Sequence, residues 1–157
     1  MRLEGQQIGR YYFRQFIETG GTGTVYLAED PRIQQQVAIK VIQIGDLTFS
    51  SVNQGNSLTR FRQEAAAIAN LNHPHIVHLN DYNEAEVAGT KIIYIVYPFY
   101  RAGSLVTWLR KRGFSSLSLQ DIADIVRQAA DALQYTHQHH IIHQDVKPSN
   151  FLTGILI

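Results

Sequence analysis

The stretch His143-Gln144-Asp145-Val146-Lys147-Pro148-Ser149-Asn150 sets a carboxylate between a histidine and a lysine, with a carboxamide five residues after the carboxylate. Phosphoryl transfer uses groups of these kinds. A carboxylate beside an attacking hydroxyl can take its proton, a cation can steady the moving phosphate, and a neutral oxygen can ligate the metal that carries a nucleotide. A second charged group stands in an unusual place: Lys40 ends the apolar run Val37-Ala38-Ile39. Burying a lysine there is costly unless a carboxylate meets it.

Several elements must position these residues. Tyr11 to Ile17 alternates and is rich in aromatics, and Thr24 to Glu29 resumes as a β-branched run after Thr19-Gly20-Gly21-Thr22-Gly23. That pattern predicts a strand, glycine loop, strand hairpin. A dinucleotide-binding loop would need a helix directly after the glycines, whereas Thr24-Val25-Tyr26-Leu27 reads as a strand. A plain glycine turn remains open at this point. Gln36 to Lys40 predicts the next strand, and Lys91 to Tyr97 a strongly apolar one.

Between them, Phe61, Glu64, Ile68 and Leu71 follow three-and-four spacing within 57–71, which predicts a helix carrying Glu64 on its apolar stripe. Glu64 could pair locally with Arg60, a contact of about 0.2–0.5 kcal/mol. Pairing with Lys40 is preferred, because it accounts for both awkward charges. Further on, Ser104 should cap a short helix bearing Leu105, Trp108 and Leu109 and ended by Gly113. Ser118 with Asp121 should open a longer helix with the stripe Ile122, Ile125, Val126, Ala129, Leu133 and Thr136. This helix delivers the chain to the His143–Asn150 loop. His137, His139, His140 and His143 gather at its end, but no carboxylate or thiol joins them at metal-ligand spacing.

The pattern HxDxKPxN resembles the catalytic loop of the eukaryotic-type protein kinases in its serine/threonine form. The remaining elements come in that family's order from Tyr11 to Leu152: the glycine segment from Ile17 to Tyr26, Val37-Ala38-Ile39-Lys40, Glu64, the connection Asn72-His73-Pro74-His75-Ile76-Val77, and Pro98-Phe99-Tyr100 as hinge. The resemblance implies an α+β, protein kinase-like fold. Residues 11–97 would form a small lobe, a five-stranded antiparallel sheet with one helix; 98–103 would be the hinge and 104–157 an incomplete helical large lobe. It further implies ATP and Mg2+ as cofactors, and transfer of the γ-phosphate to serine or threonine of a protein substrate.

Carried over residue by residue, the resemblance makes Asp145 the acceptor of the substrate hydroxyl proton, with Lys147 steadying the γ-phosphate and Asn150 ligating magnesium. Ile17, Gly20, Gly21, Thr22, Gly23, Val25 and Ala38 would surround ATP. Lys40, paired with Glu64, would hold its phosphates. Backbone groups of Pro98 and Tyr100 would read the adenine, Leu152 would floor it, and Tyr97 would narrow the pocket behind it. Two positions depart from the pattern. Glu18 stands at the family's first glycine, where an acid should weaken phosphate binding, and Gln144 replaces the arginine that clasps a phosphorylated activation loop. The DFG and APE segments are not among these residues, so the expectation is a truncated domain, inactive alone. The alternatives are a pseudokinase-like fragment that docks nucleotide or a partner, and a degraded product without function of its own.

Composition narrows the field. A chain of 157 residues, 45% hydrophobic, can bury one sizeable core, divided or not. Fourteen basic against thirteen acidic residues argue for neither a nucleic-acid surface nor a polybasic membrane patch. The absence of cysteine excludes a disulfide framework and a thiolate metal site, and fits a reducing compartment. Met1 to Gly9 has no apolar signal core, and Ile92 to Tyr100 is too short to span a bilayer. The expectation is a cytoplasmic protein whose partners are ATP and a protein substrate. Association through exposed apolar surface, including Ile155-Leu156-Ile157, is also expected.

Overall fold

A computed structural model describes residues 2–20, 23–45, 62–63, 65–113 and 117–154. In chain order the elements are β1 (Gln7–Ile8), β2 (Tyr11–Gly20), β3 (Gly23–Asp30), β4 (Gln35–Gln43), β5 (Asp81–Val87), β6 (Thr90–Pro98), α1 (Leu105–Arg112), α2 (Leu119–Gln138) and a 3-10 turn, Pro148–Asn150. The strands make one antiparallel sheet in the order β1-β2-β3-β4-β6-β5. Among the described residues the sheet thus has six strands where the sequence predicts five. The extra one, β1, has two residues, too few to show any periodicity.

Two compact units result, Met1–Asn70 with His78–Phe99, and Leu71–Val77 with Tyr100–Ile157. In the first, the sheet is covered on both faces, which is why β6 reads as an unbroken apolar run. One face buries Phe13, Tyr26, Ile39, Ile92 and Val96, and it is closed by Leu3 and Ile8 from the N-terminal segment. Hydrogen bonds fold that segment back: Gly5 N–H donates to Phe13 O at 2.8 Å, and Phe13 N–H to Gln6 O at 2.9 Å. The opposite face packs Ile42, Leu79, Ile93 and Ile95 against Ala69, Tyr82 and Tyr97. Ala69 belongs to the helical residues 65–69, so the predicted helix is present over its described part. Phe61 and Glu64 lie outside the described residues.

One end of the sheet is tied by charge. Arg10 contacts Asp30 Oδ2 at 2.8 Å and Asp81 Oδ2 at 2.9 Å, and the buried Tyr11 donates its hydroxyl to the same Asp81 oxygen at 2.7 Å. These contacts fasten the start of β2 to the end of β3 and the start of β5.

In the second unit both helices start as the sequence predicts. Ser104 Oγ accepts Thr107 N–H at 3.3 Å, and Ser118 and Asp121 form a reciprocal capping box. Gly113, at φ 86, ends α1 with its N–H on Leu109 O. α2 buries Ile125 and Thr136, while Leu119, Ile122 and Val126 are 86%, 45% and 61% exposed. Its apolar stripe is therefore covered on one flank only among the described residues. The 71–77 connection docks on α2: Asn72 N–H donates to Tyr135 Oη at 3.2 Å, and His73 Nε2 lies 3.2 Å from Asp131 Oδ2. Among the described residues no helix is long and apolar enough to cross a membrane.

Candidate active site

In the first unit the sheet register decides which side chains share a surface. β2 pairs with β3 through two irregularities, between Phe13 and Gln15 and between Phe16 and Glu18. Each puts two residues of β2 opposite one of β3, a β-bulge that re-aims the side chains beyond it. Phe16 opposes Tyr26 and Glu18 opposes Val25, so Ile17 is the extra residue at the second bulge and is 41% exposed. Val25 opposes Lys40, and Leu27 opposes Ala38. Directly opposed residues point to the same side. Val25, Ala38 and Lys40 therefore share one face, which Ile95 and Tyr97 continue on β6.

The hairpin closes at the Gly20–Gly23 pair, and the hydroxyls of Thr19 and Thr24 lie 3.0 Å apart across it. Gly23 has φ 135, and a Cβ there would sit 2.5 Å from Val41 O, so the backbone of β3 can approach β4 only at a glycine. Gly21 and Thr22 lie outside the described residues. Lys40 is half-buried. Burial lowers the pKa of its ammonium group, and the negative charge of Glu18 works against that drop. Tyr97 is half-buried too, and burial raises its phenol. Pro98 ends β6, and the chain passes from the first unit to the second between Phe99 and Tyr100.

In the second unit, α2 ends at Gln138, and two residues on the left-handed His140, at φ 60, turns the chain so that Ile141 N–H folds back onto Thr136 O at 2.9 Å. Gln144 is also left-handed, at φ 62, and the next N–H, that of Asp145, reaches back to His143 O at 2.9 Å. This is a three-residue turn of the rare, strained kind, set immediately before the carboxylate. His143 Nδ1 takes the same N–H at 3.3 Å.

Lys147 Nζ lies 2.8 Å from Asp145 Oδ2, and Asn150 Nδ2 donates to Asp145 O at 2.8 Å and to Oδ2 at 3.1 Å. The 3-10 turn begun by Pro148 brings Asn150 back over the loop, with its own N–H on Lys147 O at 2.9 Å. Lys147 first, then Asn150, holds the Asp145 carboxyl below the usual carboxylate range. It is ionised at neutral pH.

The segment after the turn is pinned to the start of α1. Phe151 O accepts Leu105 N–H at 2.7 Å, Leu152 bridges Ser104, and Gly103 O accepts both the N–H and the hydroxyl of Thr153, at 3.0 and 2.9 Å. Leu152 is half-buried there.

Asn150 commits its amide nitrogen to Asp145, and its amide oxygen is a neutral, hard donor of the kind magnesium takes. Among the described residues no three His, Asp or Glu side chains gather as a metal site. A single such oxygen suits a magnesium ion that arrives coordinated by phosphates, since that ion keeps waters and few protein ligands.

The protein kinase domain family model matches residues 11–154. The chain belongs to the protein kinase family. It is 38% identical over 92% of its length to serine/threonine-protein kinase PknA of Mycobacterium tuberculosis. It is 34% identical over 96% of its length to serine/threonine-protein kinase PrkC of Bacillus subtilis, and 34% identical over 95% to serine/threonine-protein kinase PknF of M. tuberculosis. The chain spans 32%, 22% and 29% of those three proteins. Three features of this kinase chain escape sequence reasoning: the bulge at Ile17, the left-handed Gln144 and the direct Asn150–Asp145 bridge. The alternation of β2 carries a trace of the first, since Phe16 and Ile17 are adjacent large apolar residues.

Proposed function

We propose that the chain takes part in ATP-dependent phosphorylation of serine or threonine in a protein substrate, with Asp145 meeting the substrate hydroxyl. The observation that carries this reading is the Asp145–Lys147–Asn150 cluster. Two donors occupy Oδ2, and Oδ1 is the oxygen that neither engages, so the hydroxyl proton goes to Oδ1. The lowered pKa makes Asp145 a weak base. That suits a loose transition state, in which the carboxylate orients the hydroxyl and takes its proton late. Lys147 steadies the transferring phosphate, Lys40 holds the phosphates behind it, and Asn150 ligates magnesium. When bound, the metal would neutralise charge on the phosphates.

Val25 and Ala38 lie on the Lys40 face. In this reading they contact the adenine, Ile17 and the glycine loop serve the phosphates, and backbone groups of Pro98 and Tyr100 and the side chain of Leu152 are assigned to adenine by the family resemblance alone. The cysteine-free chain fits a cytoplasmic setting, which is part of the proposal. Transfer by these residues alone is expected to be slow, because Asn150 is the one magnesium ligand the proposal finds among them. Binding is therefore the primary test. In a thermal-shift titration Mg2+·ATP should raise the melting temperature, by the equivalent of about 2.7 kcal/mol at a hundred times Kd, and Lys40→Ala should remove the shift. No shift at millimolar ATP in a folded sample would contradict the reading. A docking module without transfer is the second reading, favoured by the acid Glu18 at the family's first-glycine position. It gains support if ATP binds and Asp145→Asn changes no transfer to protein.

A further inference from the structure

We propose that Glu18 is a built-in counter-charge for Lys40 which the phosphates of a nucleotide must displace, so that this acid sets how tightly the chain binds ATP. The inference rests on the reading that Lys40 meets the phosphates. Its ground is the bulge at Ile17. Without an extra residue there, strict alternation would place Ile17 opposite Val25 and turn Glu18 to the other face of the sheet. With it, Glu18, Val25 and Lys40 form one cross-strand row on one face.

Two strand spacings separate the ends of that row, about 10 Å between backbones, and a glutamate and a lysine leaning toward each other can span most of it. Val25 is the short residue between them. The two ends differ in solvent access: Glu18 is exposed and Lys40 half-buried. A half-buried ammonium lacks part of its hydration, so a nearby carboxylate is worth more to it than the same contact in open water. The electrostatics agree in sign, since burial lowers the Lys40 pKa and Glu18 raises it. A triphosphate offers Lys40 the same kind of partner with more charge. To take it, the nucleotide must displace the carboxylate and tolerate it close by, and magnesium would ease that approach by neutralising phosphate charge. Glycine, the residue of the family pattern at this position, has no charge to displace.

The test uses the full 157-residue chain, Glu18→Gln and Lys40→Ala, with two readouts: Mg2+·ATP affinity by calorimetry, and the titration midpoint of the Lys40 ammonium by NMR of the labelled side chain. Glutamine keeps the size and strand preference of glutamate, and Glu18 is exposed, so the variant should fold. The expected result is ATP binding at least about fivefold tighter in Glu18→Gln, the lower end of typical coupling between two sites, together with a lower Lys40 midpoint. Tighter binding with an unmoved midpoint would overturn the proposal, because the acid would then act on phosphate and not through Lys40. Unchanged affinity, where Lys40→Ala abolishes wild-type binding, would overturn it while leaving the nucleotide reading intact. If neither wild type nor Glu18→Gln binds ATP in folded samples, the nucleotide reading fails and this inference fails with it.

Discussion

Asp145 Oδ2 faces a lysine ammonium at 2.8 Å and an amide N–H at 3.1 Å, and this pair of contacts defines the chemistry of the loop. Because both favour the charged form, the carboxyl titrates below its ordinary range, with Lys147 the larger cause. Lys147→Ala should therefore raise the Asp145 pKa toward that of a free carboxylate, measured by carbon-detected NMR titration, and Asn150→Ala should raise it less. A depressed folded-state pKa stabilises above the unfolded carboxylate range, and that contribution is lost as pH falls through the folded value. An unmoved Asp145 titration in Lys147→Ala would show that the contact does not persist in solution. The residue types and their spacing were legible in the chain. The left-handed Gln144 and the return of Asn150 over Asp145 were not, since both depend on how a turn closes and not on a repeating pattern.

Elements with a period or a chemical stop signal could be read directly. Ser104, Gly113 and the Ser118–Asp121 pair bound their helices as capping chemistry requires. The apolar run from Ile92 to Val96 marked a strand buried on both sides. What lacked a period was missed: β1 is two residues long, and the bulges of β2 break alternation instead of creating it. The consequence is greatest at Leu3, which is fully buried against the sheet although the family match begins at residue 11. Leu3→Ala should cost about 2–5 kcal/mol, the range for a leucine in a closed core. Denaturant unfolding would measure it. A cost near zero would mean that the N-terminal segment does not close this face. The expected Lys40–Glu64 pair belongs to the same scale, but Glu64 lies outside the described residues.

At the scale of the whole molecule, the first unit is stapled by Arg10, Asp30, Asp81 and Tyr11. Burial first, and the Asp81 contact second, push the Tyr11 phenol well above its ordinary value. Tyr26, Tyr82, Tyr94, Tyr97 and Tyr100 move the same way, with burial the leading cause in each. A raised folded-state pKa contributes stability that is complete below the unfolded tyrosine value, about 10. It is lost as pH rises through the folded values. The protein should thus weaken in urea between about pH 10 and 12, and Tyr11→Phe should flatten that decline. It should also cost about 1.5–3 kcal/mol at pH 7, the worth of a hydrogen bond to a charged group. Equal alkaline slopes in Tyr11→Phe and wild type would contradict this assignment.

In the proposed function the loop from Asp145 to Asn150 handles a metal–nucleotide. Mn2+·ATP, whose unpaired electrons broaden nearby resonances, tests it directly on the labelled 157-residue chain. Mn2+·ATP should broaden the Asn150 side-chain amide and the Asp145 backbone signal at concentrations where Mn2+ alone does not, and Asn150→Ala should weaken the broadening at Asp145. Saturating Mn2+·ATP that leaves both signals sharp in a folded sample would contradict it.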